Sequence, residues 1–248
     1  MKLSDFYPEP GVLIDSELKI LGYLRNDPFI KARHSHFSRD ASMYYRRYSE
    51  DRSGFEFFSY IDISHAAKRA KRETASNRRR AKPNFRLMLA ADIVLKSGAY
   101  SNVTYCLSVC RSKSLTILRK FHFDVTINDD EKPSRLQQHP QCHLQYCGKM
   151  LPHMAKMGCR ESQLNGMNPW LSEPRIFFWP MSLALLIDMA LHEFPDEDSK
   201  KFRDRPEWRG LVRGQEDLIL RPFYERCVEV IVDAKKKKKT LAEEFYVG

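Results

Sequence analysis

Residues 85–127 read FRLMLAADIVLKSGAYSNVTYCLSVCRSKSLTILRKFHFDVTI, and this stretch decides the fold. It contains three strand-like runs, which are rich in β-branched and aromatic residues: 85–96, 102–110 and 115–127. Short turn signals at Ser97-Gly98 and at Ser112 separate the runs. The pattern predicts an antiparallel meander at the centre of the fold.

Shorter strands and helices extend outward from this meander. The sequence predicts strands at 55–63, 142–146 and 175–179, and a first helix at about 14–25 with Asp15 or Ser16 as its N-cap. Because the sheet lies in the middle and the helices at both ends, we expect a single α+β domain over residues 1–248.

The C-terminal region, about 181–248, is predicted to be helical. Residues 181–194 are apolar nearly all round and indicate a buried helix, with Asp188 and His192 as its polar strip at i, i+4 spacing. A charged linker is expected over 195–208, and a final helix over about 222–234 with Pro222 at position N1.

Composition limits the class of protein. Of 248 residues, 42% are apolar, including 15 Phe, 11 Tyr and 3 Trp, which excludes disorder for most of the chain. The longest apolar run, 183–187, falls far short of the roughly 20 residues that a membrane span needs. The first ten residues, MKLSDFYPEP, lack the apolar stretch of a signal peptide. We therefore expect a cytoplasmic protein with no membrane partner, whose six cysteines are free thiols.

The net charge of +10 is unevenly distributed. Residues 64–82 contain eight Lys or Arg and one acid, for a net charge of +7, and residues 235–239 add +5. The rest of the chain therefore carries −2. Two basic segments on a nearly neutral body are typical of a protein with a localised anionic partner.

The first of these, the basic segment 64–82, is predicted to form a helix that ends at Pro83. On a helix, six of its cations share a stripe about 120° wide, which no folding interaction favours because like charges repel. We interpret the stripe as a site for nucleic-acid phosphates without base specificity, either DNA or RNA. A helix that docks an acidic partner protein and a merely solvated helix are the alternatives. The predicted nucleic-acid-binding residues are Lys68, Arg69, Lys71, Arg72, Arg78, Arg79, Arg80 and Lys82.

The lysine run 235–239 is a weaker signal, because positive charge is already favoured at a helix C-terminus. A solvated run is the simpler interpretation.

The segment His139-Pro140-Gln141-Cys142-His143 is the candidate for a catalytic or metal-binding site, because it contains two histidines close together. Two histidines can serve as acid and base in phosphodiester cleavage or bind a metal. His139 and His143 are therefore the candidate catalytic residues of a nuclease, with upstream carboxylates as candidate partners: Asp124, Asp129 and Glu131. The alternative is structural, with both histidines hydrogen-bonded to the edge of the sheet.

Other motifs argue against cofactors. Cys106 and Cys110 share a strand face, but their CxxxC spacing differs from the CxxC of a zinc knuckle. The chain also lacks GxxxxGK[ST], GxGxxG and GxSxG. We expect neither a metal nor another cofactor.

Residues 121–194 resemble a family of uncharacterised bacterial proteins that carries an FDxD, HPxxHL and RIP pattern before a terminal helix. The resemblance rests on Phe121-His122-Phe123-Asp124, on His139-Pro140 with His143-Leu144, and on Arg175-Ile176 ahead of the apolar helix. The chain departs from the pattern by a long Gly/Pro insert and by reading RIFFWP in place of RIP. The resemblance implies an accessory component of a bacterial anti-phage or toxin-like system.

Three hypotheses of function follow, in order of preference. The first is a non-catalytic nucleic-acid-binding subunit of such a system. The second is a nuclease that uses His139 and His143. The third is a scaffold that docks an acidic protein through the basic segment.

Overall fold

The computed structural model describes residues 6–33, 54–63, 85–125, 139–140, 142–146, 160–161, 175–194, 197–240 and 246–247. The strands are β1 (Gly54–Ile63), β2 (Phe85–Lys96), β3 (Ala99–Arg111), β4 (Thr116–Val125), β5 (His139–Pro140), β6 (Cys142–Tyr146), β7 (Arg160–Glu161), β8 (Arg175–Phe177) and β9 (Tyr246–Val247). The helices are α1 (Pro10–Asn26), α2 (Pro28–Arg33), α3 (Leu183–Glu193), α4 (Glu197–Arg203), α5 (Pro206–Gln215) and α6 (Arg221–Lys237).

The central sheet follows the order β1-β2-β3-β4-β6-β8, and each of these neighbours is antiparallel to the next. Helices precede and follow it along the chain, so the predicted α+β class with a central meander is confirmed. The short strand β7 pairs in parallel with the start of β4, and β5 and β9 form a separate two-stranded sheet.

The turn between β2 and β3 has the backbone geometry of a tight hairpin. Ser97 and Gly98 both have positive φ, 51° and 80°. Two successive positive φ values are typical of the type I′ turn, whose twist matches that of antiparallel strands. The Ser97-Gly98 signal in the sequence therefore marked a true hairpin.

Both faces of the sheet are buried. Leu89, Tyr105 and Phe123 belong to the large core that also includes residues of α1, α3 and α6. On the opposite face, a smaller cluster contains Phe58 and Cys106. Burial on both faces accounts for the near-continuous apolar runs of β2 and β3, which do not alternate with polar residues.

Helix α3 is the buried helix that the sequence predicts over 181–194, and residues 183–187 are all buried. Its N-cap is Ser182, whose hydroxyl accepts a hydrogen bond from the backbone N–H of Leu185 at 3.4 Å. The polar strip faces α4 and α5. The guanidinium of Arg203 donates to the Asp188 carboxylate at 2.9 and 3.0 Å, and the indole of Trp208 donates to the same carboxylate at 2.9 Å.

The predicted start of the first helix and the predicted linker after α3 were both wrong. Helix α1 begins at Pro10, with Glu9 at the N-cap, and so neither Asp15 nor Ser16 caps it. Proline suits the first turn, where its missing N–H would have no intrahelical partner. The charged linker predicted over 195–208 is largely helical, because α4 and α5 bury Phe202 and Trp208.

The final helix begins within one residue of the prediction, because α6 starts at Arg221 and Pro222 lies in its first turn. The difference is that a π-helical segment, Glu216–Leu220, joins α5 directly to α6. A π turn accommodates a proline whose ring would otherwise clash with the carbonyl four residues earlier. The helix then continues to Lys237, into the lysine run.

Within the described ranges, no helix combines the length and the apolar character needed to cross a lipid bilayer. The assignment of residues 1–248 to a single domain stays a prediction.

Candidate functional site

The basic segment 64–82 lies outside the described residues, and so do all eight of its predicted nucleic-acid-binding side chains. The structure does describe the two strands that hold its ends. Ile63, the last residue of β1, pairs with Phe85, the first residue of β2. The chain therefore leaves and re-enters the sheet at adjacent positions, and the basic segment is attached to one end of the sheet.

The turn between β3 and β4 lies at the same end. Phe85 pairs on its other side with Arg111, the last residue of β3, and β4 starts shortly afterwards at Thr116. Thr116 in turn pairs with Arg160 of β7. In an antiparallel meander the first and third connections share one end of the sheet, so this placement follows from the topology.

Four cations cluster at this end and form a surface that we call the basic end. They are exposed, and none makes an ion pair with another described residue: Arg111, Lys113, Arg119 and Arg160. A fifth cation, Arg86, is instead held by its neighbours. It donates to the Asp62 carboxylate at 2.7 Å and lies 4.2 Å from the ring centre of Tyr60. No described carboxylate neutralises the four exposed cations.

The half of the central sheet that lies away from the basic end carries negative charge instead. The register aligns Glu56, Asp92, Thr104, Asp124 and His143 in one row across β1, β2, β3, β4 and β6. Three carboxylates in one row make this part of the sheet acidic. The charge of the sheet is thus divided between a basic end, which carries the basic segment, and an acidic row.

Within the acidic row, Asp124 joins Thr104 to His143. The Thr104 hydroxyl donates to Oδ1 of Asp124 at 2.6 Å, and Nε2 of His143 lies 3.6 Å from Oδ2 of the same carboxylate. His143 is only 6% exposed and lies on β6, which is flanked by β4 on one side and β8 on the other. It is an interior residue of the sheet rather than an edge residue.

His122 lies on the same face, in the next row, opposite Cys106 and Gln145. Burial lowers the pKa of this histidine, although the charge of Asp124 acts in the opposite direction. Its Nε2 atom is buried and has no hydrogen-bond partner among the described residues. Burial also raises the pKa of the Cys106 thiol to about 12, so this cysteine is a neutral packing group rather than a nucleophile.

The structure separates the two candidate catalytic histidines into different sheets. The backbone of His139 pairs with Val247 in the β5–β9 sheet, whereas His143 belongs to the central sheet. The side chain of His139 lies outside the description, as do Asp129 and Glu131. Of the three candidate carboxylates, Asp124 is the one that the structure places beside a histidine.

Sequence reasoning missed the four cations of the basic end, because they are scattered over residues 111–160 and form no run. The signal that would have found them is topological. Once 85–127 is taken as a meander, the turn at 112–115 must lie beside the connection at 64–84, and the cations that flank this turn add to the basic segment.

The lysine run 235–239 lies wholly within the described residues. Lys235, Lys236 and Lys237 form the exposed last turn of α6, and Lys238 ends the helix in the left-handed conformation with φ of 56°. Positive charge here is favoured by the helix dipole, as the simpler interpretation of the run expects.

No family model, curated protein or solved structure matches this chain. The resemblance over 121–194 stays a prediction.

Proposed function

We propose that the protein binds the phosphate backbone of nucleic acids, without sequence specificity, at the basic end together with the basic segment 64–82. The observation that carries the proposal is the position of the four exposed cations, none of which forms an ion pair with a described residue. They lie at the end of the sheet to which a segment of net charge +7 is attached.

Two physical arguments support phosphate as the ligand. Clustered unpaired cations repel one another, so a surface that keeps them together is best explained by a polyanion that relieves the repulsion. Such contacts position a backbone but do not distinguish one base from another. Binding should therefore be strongly salt-dependent and similar for unrelated sequences.

The decisive experiment replaces cations whose positions the structure describes. In the variant Arg111→Gln/Lys113→Gln/Arg119→Gln, affinity for duplex DNA and for RNA should fall by a similar factor on unrelated sequences. On duplex DNA, the slope of log affinity against log salt should shrink by up to about 0.9 for each lost contact. Fluorescence anisotropy with labelled oligonucleotides at several salt concentrations measures both quantities.

A matched control removes three exposed lysines elsewhere: Lys19 on α1, Lys96 at the opposite end of the sheet and Lys200 on α4. This control loses the same net charge, so it separates a local contact from a general loss of positive charge. Equal losses of affinity in the two triple variants would contradict a site at the basic end. An absence of nucleic-acid binding by the unmodified protein at low salt would overturn the proposal.

The basic segment has its own test. The variant Lys68→Gln/Arg72→Gln/Arg79→Gln removes three charges from one predicted stripe and keeps good helix formers. It should fold normally and lose nucleic-acid affinity. If the unmodified protein instead captures an acidic protein and this variant releases it, the scaffold hypothesis replaces the proposal.

The geometry supports the nuclease hypothesis less than it supports nucleic-acid binding. A general acid or base must reach the substrate, whereas His143 is 6% exposed and faces Asp124 within the sheet. These surroundings favour the structural alternative for this residue. The resemblance adds the expectation that other subunits of an anti-phage or toxin-like complex accompany the protein.

A further inference from the structure

An exposed tyrosine lies beside the cations of the basic end. Tyr146 is the last residue of β6, and its side chain is 37% exposed. Because β6 runs antiparallel to β4, its last residue lies towards the start of β4, where the basic end is located. The register fixes this position, since Tyr146 pairs with Phe121 of β4.

Tyr146 and Arg119 lie on one face of the sheet. Residues that pair directly share a face, and so do residues two apart on one strand. Arg119 lies two residues before Phe121, the direct partner of Tyr146. Arg119 and Tyr146 are therefore diagonal neighbours with α-carbons about 7–8 Å apart, a separation that long and aromatic side chains can bridge.

Arg160 lies on the same side of β4 as Tyr146. Strand β3 occupies one side of β4, so β6 and β7 both pair with the other side. Tyr146 pairs at Phe121 and Arg160 pairs at Thr116, which places them no more than about 17 Å apart along the strand. An exposed aromatic ring thus lies within a few residues of two exposed cations.

Phe121 holds the ring of Tyr146 in place by an edge contact. The two ring centres lie 5.5 Å apart, and the ring planes meet at 61°. In this geometry Phe121 meets at most one face of the tyrosine ring. The exposed part of a ring held in this way can receive a second flat group.

We propose that Tyr146 stacks on an unpaired nucleobase while Arg119 and Arg160 bind the adjoining phosphates, so that the basic end takes single-stranded nucleic acid in preference to a duplex. This inference rests on the proposed function, which assigns the phosphate backbone to the basic end. Cations alone suit either form, because both carry phosphates. Stacking on a side chain requires a base with a free face, and in a duplex the neighbouring base pairs cover both faces of each internal base.

The position of the ring, rather than its exposure alone, points to a base. Single exposed apolar residues are normal on a protein surface. Of the eight large hydrophobic residues exposed in the described part of the chain, however, Tyr146 is the one aromatic residue on a strand of the central sheet. A positively charged surface combined with an aromatic platform is the usual arrangement for binding single strands. Because every base has a π face, such stacking adds affinity without selecting a sequence.

The variant Tyr146→Ala tests the platform with three labelled oligonucleotides: a strand of about 15 deoxythymidines, an abasic strand of the same length, and a duplex of the same length. The unmodified protein should bind the thymidine strand most tightly. The variant should lose about tenfold or more in affinity for this strand, and it should bind the other two as before. The dependence of affinity on salt should stay the same, because no charge is removed.

A uridine strand of the same length distinguishes the two sources of an unpaired base. Equal losses on the thymidine and uridine strands would support a platform that accepts DNA and RNA alike. A loss confined to one of them would support the platform and assign it to that nucleic acid.

Two further variants separate stacking from folding. Tyr146→Phe keeps the aromatic ring and should bind the thymidine strand as the unmodified protein does. Tyr146→Leu keeps an apolar side chain beside Phe121 but offers no flat ring, so it should bind as weakly as Tyr146→Ala. It also serves as the test variant if circular dichroism shows that Tyr146→Ala does not fold.

Tyr224→Ala is the matched control. Tyr224 is 50% exposed on α6 and follows Phe223, whose ring stacks on Phe177 with centres 5.7 Å apart. Phe177 pairs with His143 in the acidic row, so this tyrosine lies away from the basic end. Its replacement should leave binding of all the oligonucleotides unchanged.

Three results would overturn the inference and leave the proposed function standing, provided that Arg111→Gln/Lys113→Gln/Arg119→Gln still weakens binding. They are a Tyr146→Ala protein with unchanged affinity for the thymidine strand, an equal loss of affinity for all three oligonucleotides, and an unmodified protein that prefers the duplex. A protein that binds none of the oligonucleotides at low salt would overturn both the inference and the proposed function.

Discussion

Replacing Glu17 by glutamine should remove a pH dependence of stability that lies between about pH 4.5 and pH 7. Glu17 lies on α1 and is completely buried. Its carboxylate accepts a hydrogen bond from the Tyr105 hydroxyl at 2.6 Å and from the backbone N–H of Leu183, at the start of α3, at 3.0 Å. The group therefore joins α1, β3 and α3 inside the core.

Burial raises the pKa of Glu17 from 4.5 to about 7, although its two hydrogen bonds act to lower it. Between these two pH values the folded state holds a proton that the unfolded state has released. The stability from this proton is complete below the unfolded pKa and is lost as the pH rises through the folded pKa. At about 1.4 kcal/mol per pKa unit, the loss is about 3 kcal/mol.

The side-chain amide introduced by Glu17→Gln would be neutral at every pH and would still accept the bond from Leu183. Between about pH 4 and pH 8 the unmodified protein should therefore lose about 3 kcal/mol that the variant does not lose. The difference in free energy of unfolding, variant minus unmodified protein, should rise by this amount. Urea unfolding followed by tryptophan fluorescence measures this difference, because Trp208 is buried in the native state.

Glu193→Gln, which changes an exposed carboxylate on α3, is the control and should leave the pH profile unchanged. Parallel profiles for Glu17→Gln and the unmodified protein would refute the reasoning. The variant Tyr105→Phe tests whether the pKa of Glu17 is the cause of this pH dependence. It removes a hydrogen bond that lowers the pKa of Glu17, so the fall in stability should move to higher pH.

Three further predictions concern carboxylates in the helical regions, each measured by urea unfolding. Asp188→Ala should destabilise by about 2 kcal/mol or more, because Arg203 and Trp208 both lose their acceptor. Asp27→Ala should cost about 1–2 kcal/mol, since Asp27 is 5% exposed and accepts the backbone N–H at the start of α2 at 2.7 Å. Glu197→Gln should change stability by less than about 0.5 kcal/mol, because it breaks an exposed i, i+4 ion pair.

The sheet was predictable from the sequence because its signals are local. The bounds predicted for 85–96 and 142–146 agree with β2 and β6, where a glycine turn or a proline limits the strand. Helices α4 and α5 were not predictable in the same way. Their sequences, EDSKKFR and PEWRGLVRGQ, are polar and carry two glycines, and they fold as helices because Phe202 and Trp208 enter the core.

The candidate site was predictable only in part, for a related reason. A run such as 64–82 is visible in the sequence, but the basic end is assembled from four cations that only strand pairing brings together. Likewise, Asp124 was one of three candidate partners for the histidines, and the register between β4 and β6 was needed to place it opposite His143. Contacts of this kind depend on strand register, and the near-continuous apolar runs of β2 and β3 lack the alternation that marks register in a sequence.

His143 is the residue at which the nuclease and structural hypotheses separate. If it is structural, His143→Ala should lower the free energy of unfolding by about 1–3 kcal/mol, because Asp124 loses the buried imidazole 3.6 Å away. If it is catalytic, the same change should abolish cleavage of RNA or DNA and leave the melting temperature nearly unchanged. Its burial within the sheet leads us to expect the structural outcome.

Two measurements on one preparation distinguish these outcomes: thermal unfolding, and cleavage of labelled RNA and DNA by the unmodified protein and the variant. His143→Gln is the companion variant, because its amide can still donate to Asp124 but cannot act as an acid or base near neutral pH. Stability that His143→Gln partly restores would support the structural role. A His143→Ala protein with unchanged stability and full biological activity would contradict both hypotheses, and the Asp124–His143 pair would then have no part in either folding or catalysis.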